Sequence, residues 1–197
     1  MTNAISAHLA EFWLAHQITK DYRIEDTWLL PIELREEHLI GEVQDTFVQA
    51  ISQIETKGFA GWLFKLRVWL GQLFHWDEPV NSSKTKPVGL LKTRYNQLTK
   101  TESLPAVGDF QHFDSVYVLD NEALLEIENK TVQAAIHFGL IQKGATRQVQ
   151  MTIYVKPNGL FGQLYMLAIK PFRHWIVYPT LLQAVAKQWK QNQKRQR

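Results

Sequence analysis

The chain contains no cysteine. That excludes disulfides, cysteine-ligated zinc, iron–sulfur clusters and a thiol nucleophile, and it fits a reducing compartment. No apolar run approaches the roughly 20 residues that cross a bilayer. The opening Met1-Thr2-Asn3-Ala4 lacks the basic-then-apolar plan of a signal peptide. Acidic residues stop at Glu128: the last 69 positions hold eleven Lys/Arg and no Asp or Glu, whereas residues 1–60 carry ten acids against four bases. Familiar catalytic spacings are missing as well. The seven histidines (His8, His16, His38, His75, His112, His137 and His174) form no His-x-His and no His-Glu-x-x-His, so no metal site is expected. There is no Gly-x-Ser-x-Gly elbow, and Gly159-x-x-Gly162 is too short to cradle a phosphate.

What remains is ample material for one core. The 197 residues are 45% hydrophobic and include 7 Trp, 6 Tyr and 10 Phe, with 21% charged and a net charge of +3. This composition predicts a cytoplasmic globular domain without a membrane span. The charge gradient is a hint of contact with a polyanion, although an acidic N-terminal part packed beside a basic C-terminal part cancels such a field. Only Lys187-x-x-Lys190…Lys194-Arg195-x-Arg197 is a basic cluster, expected to fray after the last helix.

Periodicity assigns the elements. Ile5, Leu9, Phe12 and Trp13 predict an amphipathic helix over 3–18, and Ile24 to Ile32 reads as a strand. Residues 36–55 show one apolar face of a long helix, and a second helix is expected from Phe59 to Phe74. Residues 77–106 read as loop with a short element around Leu90 to Leu98. From Phe113 the period becomes two, giving strands at 115–119, 124–128, 131–141 and 147–155 with Asn129-Lys130 as a hairpin turn. After Pro157-Asn158-Gly159 a helical period resumes. Pro171 suits a first turn, and Pro179 kinks or restarts the helix. Helices segregated from an antiparallel sheet make an α+β fold. The expectation is a curved sheet gripping a long C-terminal helix, with an N-terminal helix over 1–20, the main domain over 21–190 and a basic tail over 191–197.

Several spaced motifs carry a resemblance. Gly61-Trp62-Leu63-Phe64-Lys65-Leu66-Arg67, Val107-Gly108-Asp109, the run from Pro157 to Tyr165, and Pro171-Phe172-Arg173-His174 resemble a bacterial domain-of-unknown-function family, number twenty-eight sixty-seven. The resemblance covers roughly residues 22 to 190. It implies membership of the helix-grip superfamily, with START lipid-binding domains and polyketide cyclases. Where family members carry Tyr-Trp after the glycine, this chain has Tyr165-Met166.

In such a grip the sheet and the C-terminal helix line one cavity, and a small hydrophobic molecule is the expected ligand, with no cofactor. Arg67 is the candidate grip on a carboxylate or phosphate, with Trp62, Trp69, Tyr165, Trp175 and Tyr178 as apolar wall. Each of these aromatics also suits plain core packing, and Arg67 also suits an ion pair with Asp109. His137 and His174 can face one another across that cavity as acid and base, with Asp109 orienting His174. Alternatively each imidazole hydrogen-bonds a carbonyl or points outward, and Asp109 caps a turn. Two other functions stay open. One is a cyclase- or isomerase-like enzyme using His and Arg in the cavity. The other is an interaction module that homodimerises through its N-terminal helix and touches a partner protein or nucleic acid.

Overall fold

Period-two alternation builds the sheet, and the computed structural model describes residues 2–56, 89–100, 113–128, 132–143 and 146–195. The strands are β1 (Arg23–Leu29), β2 (Asp114–Val118), β3 (Glu122–Glu128), β4 (Val132–Lys143) and β5 (Thr146–Pro157). They form a five-stranded antiparallel sheet in the order β1-β5-β4-β3-β2. Strands β2 to β5 are a meander, and β1 adds to its far edge beside β5. The helices are α1 (Thr2–Leu9), α2 (Leu14–Ile18), α3 (Ile40–Thr56), α4 (Leu90–Thr99), α5 (Gly159–Phe172) and α6 (Tyr178–Arg195). One π-helical turn, Arg173–Val177, joins α5 to α6. This is the expected α+β architecture, an open antiparallel sheet with a long C-terminal helix.

Both faces of the sheet are covered. On the first, Ala123 and Leu125 of β3, Ile136 and Phe138 of β4, and Val149 and Met151 of β5 meet Val43 and Phe47 of α3 and Leu181, Val185 and Trp189 of α6. Phe47 sits at the centre, with ring centroids 5.0 Å from Phe138 and 6.1 Å from Phe113. On the second face, Trp13, Ala15, Ile18 and Leu91 of the N-terminal segment and α4 pack on Leu124, Ala135 and Tyr154.

Several local expectations are corrected. Helix 3–18 is two short helices, because Trp13 is extended (φ −86°, ψ 138°). The break lets Trp13 turn into the sheet while Phe12 stays fully exposed. Helix α3 starts at Ile40 rather than residue 36, since the His38 Nδ1 accepts the Arg35 amide at 2.9 Å and closes a turn ahead of it. Pro171 lies in the last turn of α5, which begins at Gly159 with φ +65°. Pro179, without an N–H, matches a restart: the Tyr178 amide reaches back five residues to the Arg173 carbonyl, and α6 follows. The tail does not fray at 191. Residues through Arg195 remain helical, held by Asn192 Nδ2 donating to Thr46 Oγ1 at 3.0 Å and by Gln193 Oε1, 3.1 Å from His38 Nε2. The expected helix 59–74, most of the 77–106 loop, the Asn129-Lys130 turn and residues 196–197 lie outside the described residues.

Phe47 is 0% exposed and bridges α3 to the sheet. Phe47→Ala should lower unfolding free energy by about 3–5 kcal/mol, read as a shifted midpoint in chemical denaturation.

Candidate functional site

Two clusters of polar side chains lie on opposite faces of the sheet. The first begins with a bulge. The register of β1 against β5 slips between Ile24 and Asp26, so Glu25 and Asp26 both serve the face that carries the C-terminal helix. Opposite them the π-helical turn aims Arg173 and His174 at the sheet. Arg173 Nη2 lies 2.5 Å from Glu25 Oε1 and 3.9 Å from Asp26 Oδ2. His174 Nε2 is 3.3 Å from Asp26 Oδ1, and the Tyr178 hydroxyl donates to Asp26 Oδ2 at 2.6 Å. Arg23 Nε is 3.2 Å from Glu25 Oε2. Burial and the adjacent Asp26 carboxylate push the Tyr178 hydroxyl far above its usual range, so it remains a donor. Among the described residues, three buried nitrogens of this cluster, Arg173 Nε, His174 Nδ1 and Trp28 Nε1, have no hydrogen-bond partner.

Beside this cluster runs an open groove of about 510 Å³ between β1 and α5. Ile24, Leu160, Leu164, Met166 and Leu167 form its apolar wall, and Arg23, Glu25, Gln163 and Lys170 complete it.

The second cluster is buried under the N-terminal segment. Glu122 Oε1 accepts the Leu14 amide at 2.8 Å, and Oε2 accepts the Tyr117 hydroxyl at 2.8 Å. His137 Nε2 lies 3.0 Å from Oε2 and donates to it. The Glu122 carboxyl is opposed by burial, but His137, the Leu14 amide and Tyr117 overcome that and hold it below its ordinary range. Burial drives the His137 imidazole below its ordinary value against the pull of Glu122, so the pair is a carboxylate beside a neutral imidazole. His8 joins from α1, with Nδ1 2.6 Å from Gln150 Oε1 and Nε2 2.7 Å from the Tyr154 hydroxyl. His16 Nδ1 is 3.0 Å from the same hydroxyl. The Trp13 indole passes over Gly139, where an added Cβ would lie 2.9 Å from the ring. Only a glycine admits that approach.

His137 and His174 therefore do not face one another: the sheet separates them. Each pairs with a carboxylate instead, and the partner of His174 is Asp26. Tyr178 points towards the sheet, where its hydroxyl meets Asp26. Trp175 does not: it is 81% exposed and turned away from the sheet. Arg67, Trp62, Trp69 and Asp109 lie outside the described residues, as does the side chain of Tyr165, whose backbone sits in α5. Among the described residues no group of three His, Asp or Glu is placed to hold a metal ion. No described helix is long and apolar enough to cross a membrane.

The residues that sequence reasoning missed are Glu25, Asp26 and Arg173 on one face and His8, Glu122 and Tyr154 on the other. Two adjacent carboxylates inside Ile24-Glu25-Asp26-Thr27-Trp28 break strict alternation, which is the trace a bulge leaves.

His8 is fully buried, and burial followed by the nearby His137 lowers it from the ordinary 6.5 to about 4. The unfolded chain then binds more protons between those values. Its stability contribution is intact above pH 6.5 and is lost as pH falls towards 4, by about 1.4 kcal/mol per pH unit within that window. His8→Leu should be less stable at neutral pH, because Gln150 and Tyr154 lose a partner. Its acid limb should be shallower by about one proton in denaturant titrations at stepped pH.

No curated protein and no solved structure matches the chain. One family model does, over residues 18–180, described as a protein of unknown function (DUF2867). The match spans all five strands and leaves α1, most of α2 and most of α6 outside. The chain belongs to that family.

Proposed function

We propose that the protein binds a small, mostly apolar molecule with an anionic end in the groove between β1 and the first half of the C-terminal helix. The observation that carries this reading is the groove itself. Its volume of about 510 Å³ falls in the range of small-molecule sites, and its wall is built from Leu160, Leu164, Met166, Leu167 and Ile24. Its polar members are asymmetric in charge. Glu25 is engaged by Arg23 and Arg173, and among the described residues no carboxylate pairs with the Lys170 ammonium, which is placed to meet an anion. The helix-grip idea is kept in altered form. The space between sheet, α3 and α6 is filled by described side chains, so the ligand is assigned to the edge where α5 leaves the sheet.

A second reading, turnover beside the groove at the buried cluster behind its wall, rests on His174. With Nε2–H donated to Asp26, its Nδ1 is a free base, and the unpartnered Arg173 Nε–H is a donor for developing negative charge. That is the arrangement for removing a proton next to a carbonyl, the first step of an isomerase or cyclase.

Native mass spectrometry of the purified protein, followed by titration with a fluorescent long-chain fatty acid, tests the binding. A saturable site is expected, weakened about tenfold by Leu164→Asp, with a smaller loss in Lys170→Glu. Absence of saturation, or binding indifferent to Leu164→Asp, would overturn it. For the second reading, a ligand released from the native protein should take up deuterium next to its carbonyl when incubated in D2O with the parent protein, read as a gain in mass, and stay unlabelled with His174→Gln.

A further inference from the structure

The helical turns from Leu160 to Trp175 place four apolar side chains on one stripe, of which Leu160, Leu164 and Leu167 also wall the groove. Leu160, Leu164 and Leu167 are 79%, 66% and 68% exposed, and Trp175 is 81% exposed. The spacing i, i+4, i+7, i+15, with Pro171 at i+11, keeps them on one side over roughly 22 Å of helix. Phe172, also exposed, widens the stripe at its C-terminal end. An exposed apolar stripe of this length is the mark of an interaction surface rather than of ordinary surface scatter.

Charge selects the partner. From residue 129 to 197 the chain has no Asp or Glu, so neither α5, the π-helical turn nor α6 presents an acidic side chain. The exposed Lys170 and Arg23 border the stripe on its groove side, and the one carboxylate in the groove wall, Glu25, is tied to two arginines. An apolar ridge with a terminal tryptophan and flanking cations matches the layering of a bilayer interface, with acyl chains below and anionic headgroups above. No described helix crosses a membrane, so contact of this kind is with one leaflet.

We propose that the face of α5 and the π-helical turn, Leu160 to Trp175, docks on an anionic lipid surface. The proposal goes beyond the groove reading and does not need the groove to hold a ligand.

The experiment is flotation of the full chain with phosphatidylcholine vesicles, with or without phosphatidylglycerol, at low and high salt. Binding is expected with the anionic vesicles at low salt, weaker at high salt, and little with phosphatidylcholine alone. Phe172→Ser combined with Trp175→Ser lies outside the groove and outside the core. It should cut partitioning at least about tenfold. Lys170→Glu should reduce binding to the anionic vesicles alone. Fatty-acid titration of the double variant confirms that the fold and the groove are intact. It also separates the two readings, since loss of flotation with retained probe binding concerns docking only. No flotation of the parent, or equal flotation of the double variant, would overturn the proposal. So would a concentration-dependent dimer in sedimentation that the double variant abolishes, which would assign the stripe to a second copy of the chain.

Discussion

The buried Asp26 carboxylate organises the half of the molecule that carries the groove. A carboxylate removed from water is costly unless its lone pairs are satisfied. Here the Tyr178 hydroxyl and the His174 imidazole reach it from the C-terminal helix, with the Arg173 guanidinium at its margin. Two one-residue irregularities make this possible. The bulge at Glu25/Asp26 puts consecutive carboxylates on one face of β1, and the π-helical turn puts consecutive Arg173 and His174 on one side of the helix. Regular alternation would give the helix one carboxylate. Each irregularity gives the other a partner. Beyond the turn, α6 enters the core with Leu181, Val185 and Trp189, while α5 lies beside β1 with the groove between them.

The opposite face solves a related problem with the acids of β3. Glu122 and Glu126 alternate with apolar residues, a pattern that ordinarily points acids to solvent. Both instead turn inward and cap helices. Glu122 accepts the Leu14 amide of α2, and Glu126 Oε1 accepts the Leu91 amide of α4 at 3.0 Å. The helices thus dock by their first turns, through charge-assisted bonds with directional geometry, before any apolar contact is counted. His137, Tyr117, His8 and Tyr154 then complete a closed polar layer between the N-terminal segment and the sheet. A layer so dependent on neutral imidazoles is specific in register and sensitive to acid.

The two faces also show what a sequence pattern reveals and what it hides. Strands at 115–119, 124–128, 131–141 and 147–155 were legible because alternation survives within each, and the observed bounds differ by a few residues. The long α3 was legible from Val43, Phe47, Val48, Ile51 and Ile54, and the restart at Pro179 from its missing N–H. The devices that build the candidate site were not. A bulge or a π-helical turn adds one residue to a periodic run and reassigns only the few side chains next to it, so the period on either side still reads cleanly. The break at Trp13 was hidden for another reason: Phe12 and Trp13 are equally apolar, and only docking against His137 and Gly139 decides which one is buried. His137 and His174 were identified as candidate residues, yet their neighbours depended on which face each strand parity and helix turn presented.

Exposure differs around α5. Met166 packs inward, whereas Leu160, Leu164 and Leu167 stay exposed. An apolar stripe left in water invites association, and mutation readily replaces such residues with polar ones where nothing favours them. Here four large apolar residues stand on one line, continuous with a groove of similar character and bordered by cations. Leu160, Leu164 and Leu167 belong to both, so groove and docking face meet on α5, next to the contact between Asp26 and the π-helical turn.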